Sequence, residues 1–143
     1  MDEHIGIRPV PSWYWIIAGL ALLWEAFGCF MYISQMTTDP ATLPLDQRAL
    51  WQAMPTWSVA AYAIAVWVGL VGAVLLLLRR RHAVAALGLS LLAVIVQFSA
   101  LVLVPQISGM ISSDMLLGPI VIAVVCYGIF QFALHARKRG WLR

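Results

Sequence analysis

Four long apolar segments divide the chain, and short polar stretches separate them. Their approximate bounds are residues 13–33, 58–78, 83–104 and 115–135. A helix needs about 20 apolar residues to cross roughly 30 Å of hydrocarbon, and each segment has that length. The pattern therefore predicts an all-α fold, a four-helix transmembrane bundle that forms a single integral membrane domain over residues 1–143.

The first segment is amphipathic, with small and polar residues on one face of the helix and large apolar residues on the other. Small and polar residues recur at steps of three and four, which places them on one stripe. That stripe consists of Ala18, Ala21, Glu25, Gly28, Tyr32 and Gln35. The opposite face consists of Ile16, Leu20, Leu23, Phe27 and Phe30 and suits lipid. Small and polar faces are typical of helix contacts inside a membrane, so we expect the first stripe to face the bundle.

Similar stripes occur on the other three segments. The second carries a ladder of small residues, Ala61, Ala65, Gly69 and Ala73. The third carries Ala86, Ser90, Ala93, Gln97 and Ala100. The fourth carries Ala123, Tyr127, Gln131 and His135, with Pro119 near its start as a candidate kink. These stripes are more typical of packing seams than of a cofactor site.

The longest polar stretch, residues 34–57, separates the first two segments. Pro40 and Pro44 interrupt it early, and Asp46 is a suitable cap for a short helix over Gln47–Met54. The apolar edge of that helix would consist of Leu45, Leu50, Trp51 and Met54. We expect the helix to lie on the membrane surface or to close over the bundle.

Composition supports the membrane assignment. Hydrophobic residues make up 63% of the chain and charged residues 10%, which is more apolar surface than a water-soluble domain of this length can bury. The N-terminal residues lack a small-residue cleavage site, so a cleaved signal peptide is not expected. No nucleotide-binding or hydrolase motif, zinc-ligand cluster or basic-aromatic groove occurs. We therefore expect no enzyme activity, cofactor, metal or nucleic-acid binding.

The basic residues cluster on one side of the predicted topology. They are Arg8, Arg79, Arg80, Arg81, Arg137, Lys138, Arg139 and Arg143, and only Arg48 falls elsewhere. Lys and Arg prefer cytoplasmic loops, so both termini are predicted to be cytoplasmic. Two runs, Arg79–Arg81 and Arg137–Arg139, would contact acidic lipid headgroups of the bilayer. His135 belongs to the same interfacial region.

Glu25 is the most unusual residue in the pattern because an ionised carboxylate at mid-bilayer is costly. From the rise per residue, Glu25 lies roughly 18 Å from the cytoplasmic end, Gln97 roughly 21 Å, and Tyr62 and Ser99 roughly 24 Å, whereas Gln131 lies at about 6 Å. We therefore predict a ligand-binding pocket, with Gln131 outside it. Its candidate residues are Glu25, Gln97, Tyr62, Tyr32 and Ser99.

Two interpretations of Glu25 remain open. A neutral carboxyl that is hydrogen-bonded to Gln97 or Tyr62 would be less costly than a charged one, and it could release its proton when solute enters. Alternatively, the carboxyl joins two helices through a structural hydrogen bond, with an average gain of about 0.6 kcal/mol. Cys29 and Cys126 lie at different depths, which favours buried free thiols over a disulfide.

Three stretches resemble one known family. They are residues Leu43–Arg81, the motif VIVQ (Val94–Gln97) and the ending GWLR (Gly140–Arg143). They are similar to short bacterial four-span membrane proteins that are often labelled sugar transporters. The resemblance implies a four-helix protein of the bacterial inner membrane. Members often carry an amide where this chain has Glu25, which favours hydrogen bonding or solute recognition over proton coupling as the shared role.

Two functions follow from these observations. The first is transport-related solute binding in a polar pocket at mid-bilayer, in a homo-oligomer for which the Ala61–Ala73 ladder is one candidate interface. The alternative is an accessory or assembly subunit of a larger membrane complex.

Overall fold

The computed structural model describes residues 9–143, which are helical throughout apart from short connections. The helices are α1 (Ser12–Thr37), α2 (Leu45–Ala53), α3 (Thr56–Leu77), α4 (His82–Leu103), α5 (Pro105–Ser108) and α6 (Leu117–Lys138). Two short 3₁₀ turns cover Pro40–Thr42 and Ser113–Leu116. No strand occurs in the described part of the chain, so the predicted all-α fold is confirmed.

Four of these helices, α1, α3, α4 and α6, are long and apolar enough to cross a membrane. They alternate in direction. The bundle therefore has a tail end, where α1 begins and α6 ends, and an α2 end, where α2 and α5 connect the long helices. Arg8, one of the basic residues on which the predicted topology rests, lies outside the described residues.

Helix α3 packs between α1 and α4, and α4 packs in turn against α6. The small residues of α3 allow this close approach. At Gly72, for example, an added Cβ would lie only 2.8 Å from Leu87 Cγ of α4. The ladder Ala61, Ala65, Gly69 and Ala73 is buried inside the bundle. Its use as an interface between subunits was therefore the wrong prediction, because α1 and α4 of the same chain already cover it.

The predicted faces agree with the structure on α1 but not on α6. On α1 the residues Ala18, Ala21 and Glu25 are buried, while the opposite apolar residues are exposed. On α6 the buried residues are Cys126, Ile129, Ala133 and Ala136. The predicted stripe of α6 was therefore wrong, since Tyr127, Gln131 and His135 are exposed.

Prolines begin several helices rather than bending them. Pro119 lies in the first turn of α6, where its missing N–H is one of the groups that a helix leaves unbonded anyway. Pro44 occupies the N-cap position of α2, and Asp46 lies inside its first turn. The predicted kink at Pro119 was therefore wrong, because this proline lies at the start of the helix and not within it. The predicted cap at Asp46 was also wrong, because the N-cap is Pro44, two residues earlier.

The tail end is closed by the C-terminal residues. Arg79 adopts the left-handed conformation (φ 58°), which turns the chain sharply between α3 and α4. The Arg143 N–H donates to the Arg79 carbonyl at 2.6 Å, and the Arg81 N–H donates to the Arg143 carbonyl at 2.7 Å. The Trp141 ring packs edge-on against Trp13 of α1. These contacts hold the basic residues together at this end.

One buried hydrogen bond joins α1 to α3 near the tail end. The hydroxyl of Tyr14, which is fully buried, donates to the Leu76 carbonyl. The Tyr14 ring also contacts Phe132 of α6, with 5.5 Å between ring centroids. Three helices are therefore fixed relative to one another at a single residue, on the side of the bundle opposite α2.

Candidate functional site

A cavity of about 280 Å³ lies between α1, α3, α4 and α6, in the half of the bundle nearer α2. Its walls are largely apolar, with a few polar side chains. The polar residues of the lining are Glu25, Gln35, Tyr62, Ser90 and Gln97. Its volume is just below the usual range of small-molecule sites, which begins at about 300 Å³. It would hold roughly nine water molecules at their liquid volume of about 30 Å³ each.

Glu25 is the acidic residue of this cavity. Its side chain is only 5% exposed, yet among residues 9–143 no group donates a hydrogen bond to its carboxyl. Every fully enclosed side-chain nitrogen or oxygen in that part of the chain has a hydrogen-bond partner. The Glu25 oxygens must therefore be reachable from the cavity, where a water molecule or a solute would contact them.

Gly69 of α3 provides the space for the carboxyl. A Cβ added to Gly69 would lie 2.7 Å from Glu25 Cδ and 2.8 Å from Ser90 Oγ. Real Cβ atoms do not approach other atoms so closely. The Glu25 carboxyl and the Ser90 hydroxyl therefore share the space that any other residue at position 69 would fill.

Two protic groups near Glu25, the Ser90 hydroxyl and the Cys29 thiol, donate their hydrogens to backbone carbonyls. The Ser90 hydroxyl donates to the Ala65 carbonyl at 2.6 Å. The Cys29 thiol donates to the Val66 carbonyl at 3.3 Å. Each of these groups has one hydrogen to give, so neither can also donate to the Glu25 carboxyl. The structural hydrogen bond that would make Glu25 a simple link between helices is not present among these neighbours.

Tyr62 and Gln97 line the same cavity on the side toward α2. The sequence depths placed both residues near Glu25, and the structure brings all three to one cavity. Gln97 is half-buried, and only its backbone is otherwise engaged, accepting a hydrogen bond from Ser58 Oγ at 3.2 Å. The Gln97 side-chain amide is therefore positioned to contact a bound molecule.

The two other candidate residues lie outside the lining. Tyr32 packs edge-on against the Tyr62 ring, with 5.2 Å between centroids, and so supports a lining residue from behind. The Ser99 hydroxyl donates to the Val96 carbonyl of its own helix, as serine often does inside helices. The binding roles proposed for both residues remain predictions.

Several lining residues were not among the sequence candidates. Ser90 precedes Gln97 by seven residues, or two helical turns, on α4, and Gln35 lies on the Glu25 stripe of α1, so spacing could have identified both. Trp24 and Phe98 contribute aromatic wall. No polar pattern marks them, because apolar residues on a spanning helix look alike whether they face lipid or a cavity.

A second cavity of about 230 Å³ lies next to the first, on the side toward α2. Gln35, Tyr62 and Gln97 line both, and Leu50 of α2 and the C-cap residue Met54 line the far side of the second. The predicted apolar edge of α2 therefore faces the bundle, apart from Leu45, which is 79% exposed. The two cavities therefore lie next to each other between Glu25 and the α2 end, with polar side chains in the wall that they share.

Arg48 fixes α2 in this position. Its guanidinium donates to the carbonyls of Pro40, Ala41 and Leu43 at 2.9, 2.7 and 3.2 Å. The loop before α2 is thereby folded onto the helix. Arg48 is thus occupied by backbone carbonyls and does not line the Glu25 cavity.

Cys29 and Cys126 are both free and buried, as the sequence predicted. Cys126 lines the cavity. Both thiols lie close enough to Glu25 to interact with it electrostatically. Comparison with protein-family models, with curated proteins and with solved structures gives no match to this chain.

Proposed function

We propose that this membrane protein binds a small solute in the cavity beside Glu25, as a step in moving that solute across the bilayer. One observation carries the proposal: a carboxyl that is 5% exposed faces a cavity and accepts no hydrogen bond from residues 9–143. A polar group buried without a partner costs about 1–3 kcal/mol. A bound molecule that satisfies the carboxyl would offset this cost.

The surroundings of Glu25 support binding over a purely structural role. A structural carboxyl would be bonded to a neighbouring helix, yet the nearest hydroxyl and thiol donate to backbone carbonyls instead. A second cavity, which also has Tyr62 and Gln97 in its lining, lies toward α2. A solute would therefore reach Glu25 from the α2 end. With both termini cytoplasmic, as the charge distribution predicts, this is the outer side of a bacterial inner membrane.

Water in the cavity is the property to test first. In a background in which Cys29→Ser and Cys126→Ala remove both native thiols, a cysteine is placed at Gln97 or at Ile95. Gln97 lines both cavities, whereas Ile95 is 56% exposed on the outer face of the same helix and lines neither. Each protein is treated with charged methanethiosulfonates at about pH 8, where a hydrated thiol is partly ionised.

We expect intact mass spectrometry to show modification of Gln97→Cys and none of Ile95→Cys, since a thiol in lipid neither ionises nor meets a charged reagent. Equal inertness of the two cysteines would overturn the proposal. Gentle purification adds a second criterion. A homogeneous protein is expected, whereas a stoichiometric unrelated partner would favour the accessory-subunit role.

A further inference from the structure

The cavity contains a negatively charged side chain and lacks a positively charged one among residues 9–143. Among residues 9–143 its lining holds one acidic residue, Glu25, and no Lys, Arg or His. Seven of the basic residues in the described part of the chain lie at the tail end, beyond α3 or at the end of α6. The eighth, Arg48, donates to three carbonyls of the loop before α2. No cation within residues 9–143 is therefore placed to balance the Glu25 carboxylate.

Aromatic rings line the same cavity. Trp24 and Phe27 come from α1, Tyr62 from α3 and Phe98 from α4. The faces of such rings attract cations, and Trp is the strongest of the common ring types in this respect. An acidic group with aromatic walls favours a cation, and the remaining apolar lining favours a cation with an apolar body.

Other solute classes fit the cavity less well. An anion would meet the Glu25 carboxylate without a basic residue to offset the repulsion. A sugar-like polyol needs many hydrogen-bond partners, but the lining is mainly apolar, and its Ser90 hydroxyl already donates to Ala65. The tyrosine and the two glutamines leave few further partners for such a molecule.

We infer that the solute is a small organic monocation, an amine or ammonium attached to an apolar or aromatic body. This inference rests on the proposed function, because it assigns a ligand class to the same cavity. The ammonium contacts the Glu25 carboxyl, and the body lies against Trp24 and Phe98. The cavity volume of about 280 Å³ accommodates a solute with a single ring.

Three ligands of nearly equal size and shape test the inference: benzylammonium, benzyl alcohol and benzoate. Binding of each is measured by isothermal titration calorimetry with the full chain in non-ionic detergent. We expect benzylammonium to bind about ten-fold or more tightly than benzyl alcohol, and benzoate not to bind. This order of affinities in the wild-type protein tests the proposed ligand class without any variant.

Two variants then assign the selectivity to Glu25. Glu25→Gln keeps the size of the side chain and should abolish the advantage of benzylammonium over benzyl alcohol. Asp46→Asn removes an equal charge from exposed α2, outside the cavity linings, and should leave that advantage unchanged.

The alternative results separate the two proposals. Equal binding of benzyl alcohol and benzylammonium would overturn the cation assignment and leave solute binding intact. So would failure of all three ligands to bind a protein whose Gln97→Cys variant is modified by charged reagents. Inertness of that cysteine would instead remove the solute cavity itself.

Discussion

Gly69 of α3 lies directly against Glu25 of α1, and the glutamate carboxyl occupies the space that a side chain at position 69 would need. Close approach of helices at glycine is common in membrane proteins. In this bundle the space at the glycine is filled by a polar group from the neighbouring helix. The candidate site therefore depends on a residue that contributes no side-chain atoms to it.

Gly69→Ala should destabilise the protein by about 1–3 kcal/mol, the usual cost of overpacking, because the new methyl group would displace the Glu25 carboxyl. Thermal unfolding in detergent, followed by tryptophan fluorescence, measures the change. Gly19→Ala is the matched control, since an added Cβ there meets nothing within 4 Å. Equal midpoints for the two variants would contradict the contact.

Tyr14→Phe should lower the free energy of unfolding by about 0.5–1.5 kcal/mol, the net value of one hydrogen bond. The Leu76 carbonyl that loses the hydroxyl keeps the Arg79 N–H at 3.1 Å, which limits the loss. Tyr127→Phe, at a position 56% exposed on α6, should have almost no effect. A stability unchanged in Tyr14→Phe would show that the α1–α3 bond contributes nothing.

Arg48→Lys should loosen the loop before α2, because a lysine cannot reach three carbonyls with a planar fork of donors. A loss of about 1–2 kcal/mol in local stability corresponds to roughly a 5- to 30-fold larger open population. Limited proteolysis by chymotrypsin near Trp51 should accelerate accordingly. Arg139→Lys at the exposed tail end serves as the control, and equal cleavage rates would refute the role of Arg48.

Leu50→Trp should obstruct the route from the α2 end, since Leu50 lines the second cavity. Modification of Gln97→Cys should then slow by about ten-fold, equivalent to about 1.4 kcal/mol in the barrier. Leu45→Trp adds the same ring at a position that is 79% exposed and lines neither cavity. A rate that Leu50→Trp leaves unchanged would place the opening elsewhere.

Uptake of radiolabelled benzylammonium into proteoliposomes tests the transport step. We expect saturable uptake that falls by about ten-fold or more in Glu25→Ala, equivalent to about 1.4 kcal/mol, because the solute loses its counter-charge. Gln97→Ala should reduce uptake less, since Gln97 offers a neutral hydrogen bond. Wild-type uptake in both variants would rule out this cavity as the transport site.

The sequence was sufficient to predict the helices and the face of α1. Hydrocarbon length sets the number of apolar residues, and the Glu25 stripe, from Ala18 to Gln35, repeats over about five helical turns. The fourth helix was harder because Gln131 and His135 lie near its end, where long polar side chains can extend toward the membrane surface. Polarity there does not indicate which face is buried.

The candidate site was predictable only in part. Depth along the helices brought Glu25, Tyr62 and Gln97 together, because rise per residue is nearly constant. The sequence does not fix how each helix is rotated about its axis. That rotation points Gln97 into the cavity and Ser99 away from it, where the Ser99 hydroxyl donates to its own helix. The hydrogen bond from the Ser90 hydroxyl to the Ala65 carbonyl depends on how closely α3 and α4 approach each other. The residue pattern of a single helix does not reveal that distance.

Within residues 9–143 no basic residue is placed to balance the charge of Glu25, and this has a consequence for any transport cycle. The negative charge of such a carboxylate must be neutralised by a bound cation, which is either a proton or the ammonium of the solute. The carboxyl can bind only one of the two at a time. Binding of the cation therefore releases the proton to water, and release of the cation allows the carboxyl to be protonated again. Exchange of the two would thus follow from a single residue and would need no separate coupling device.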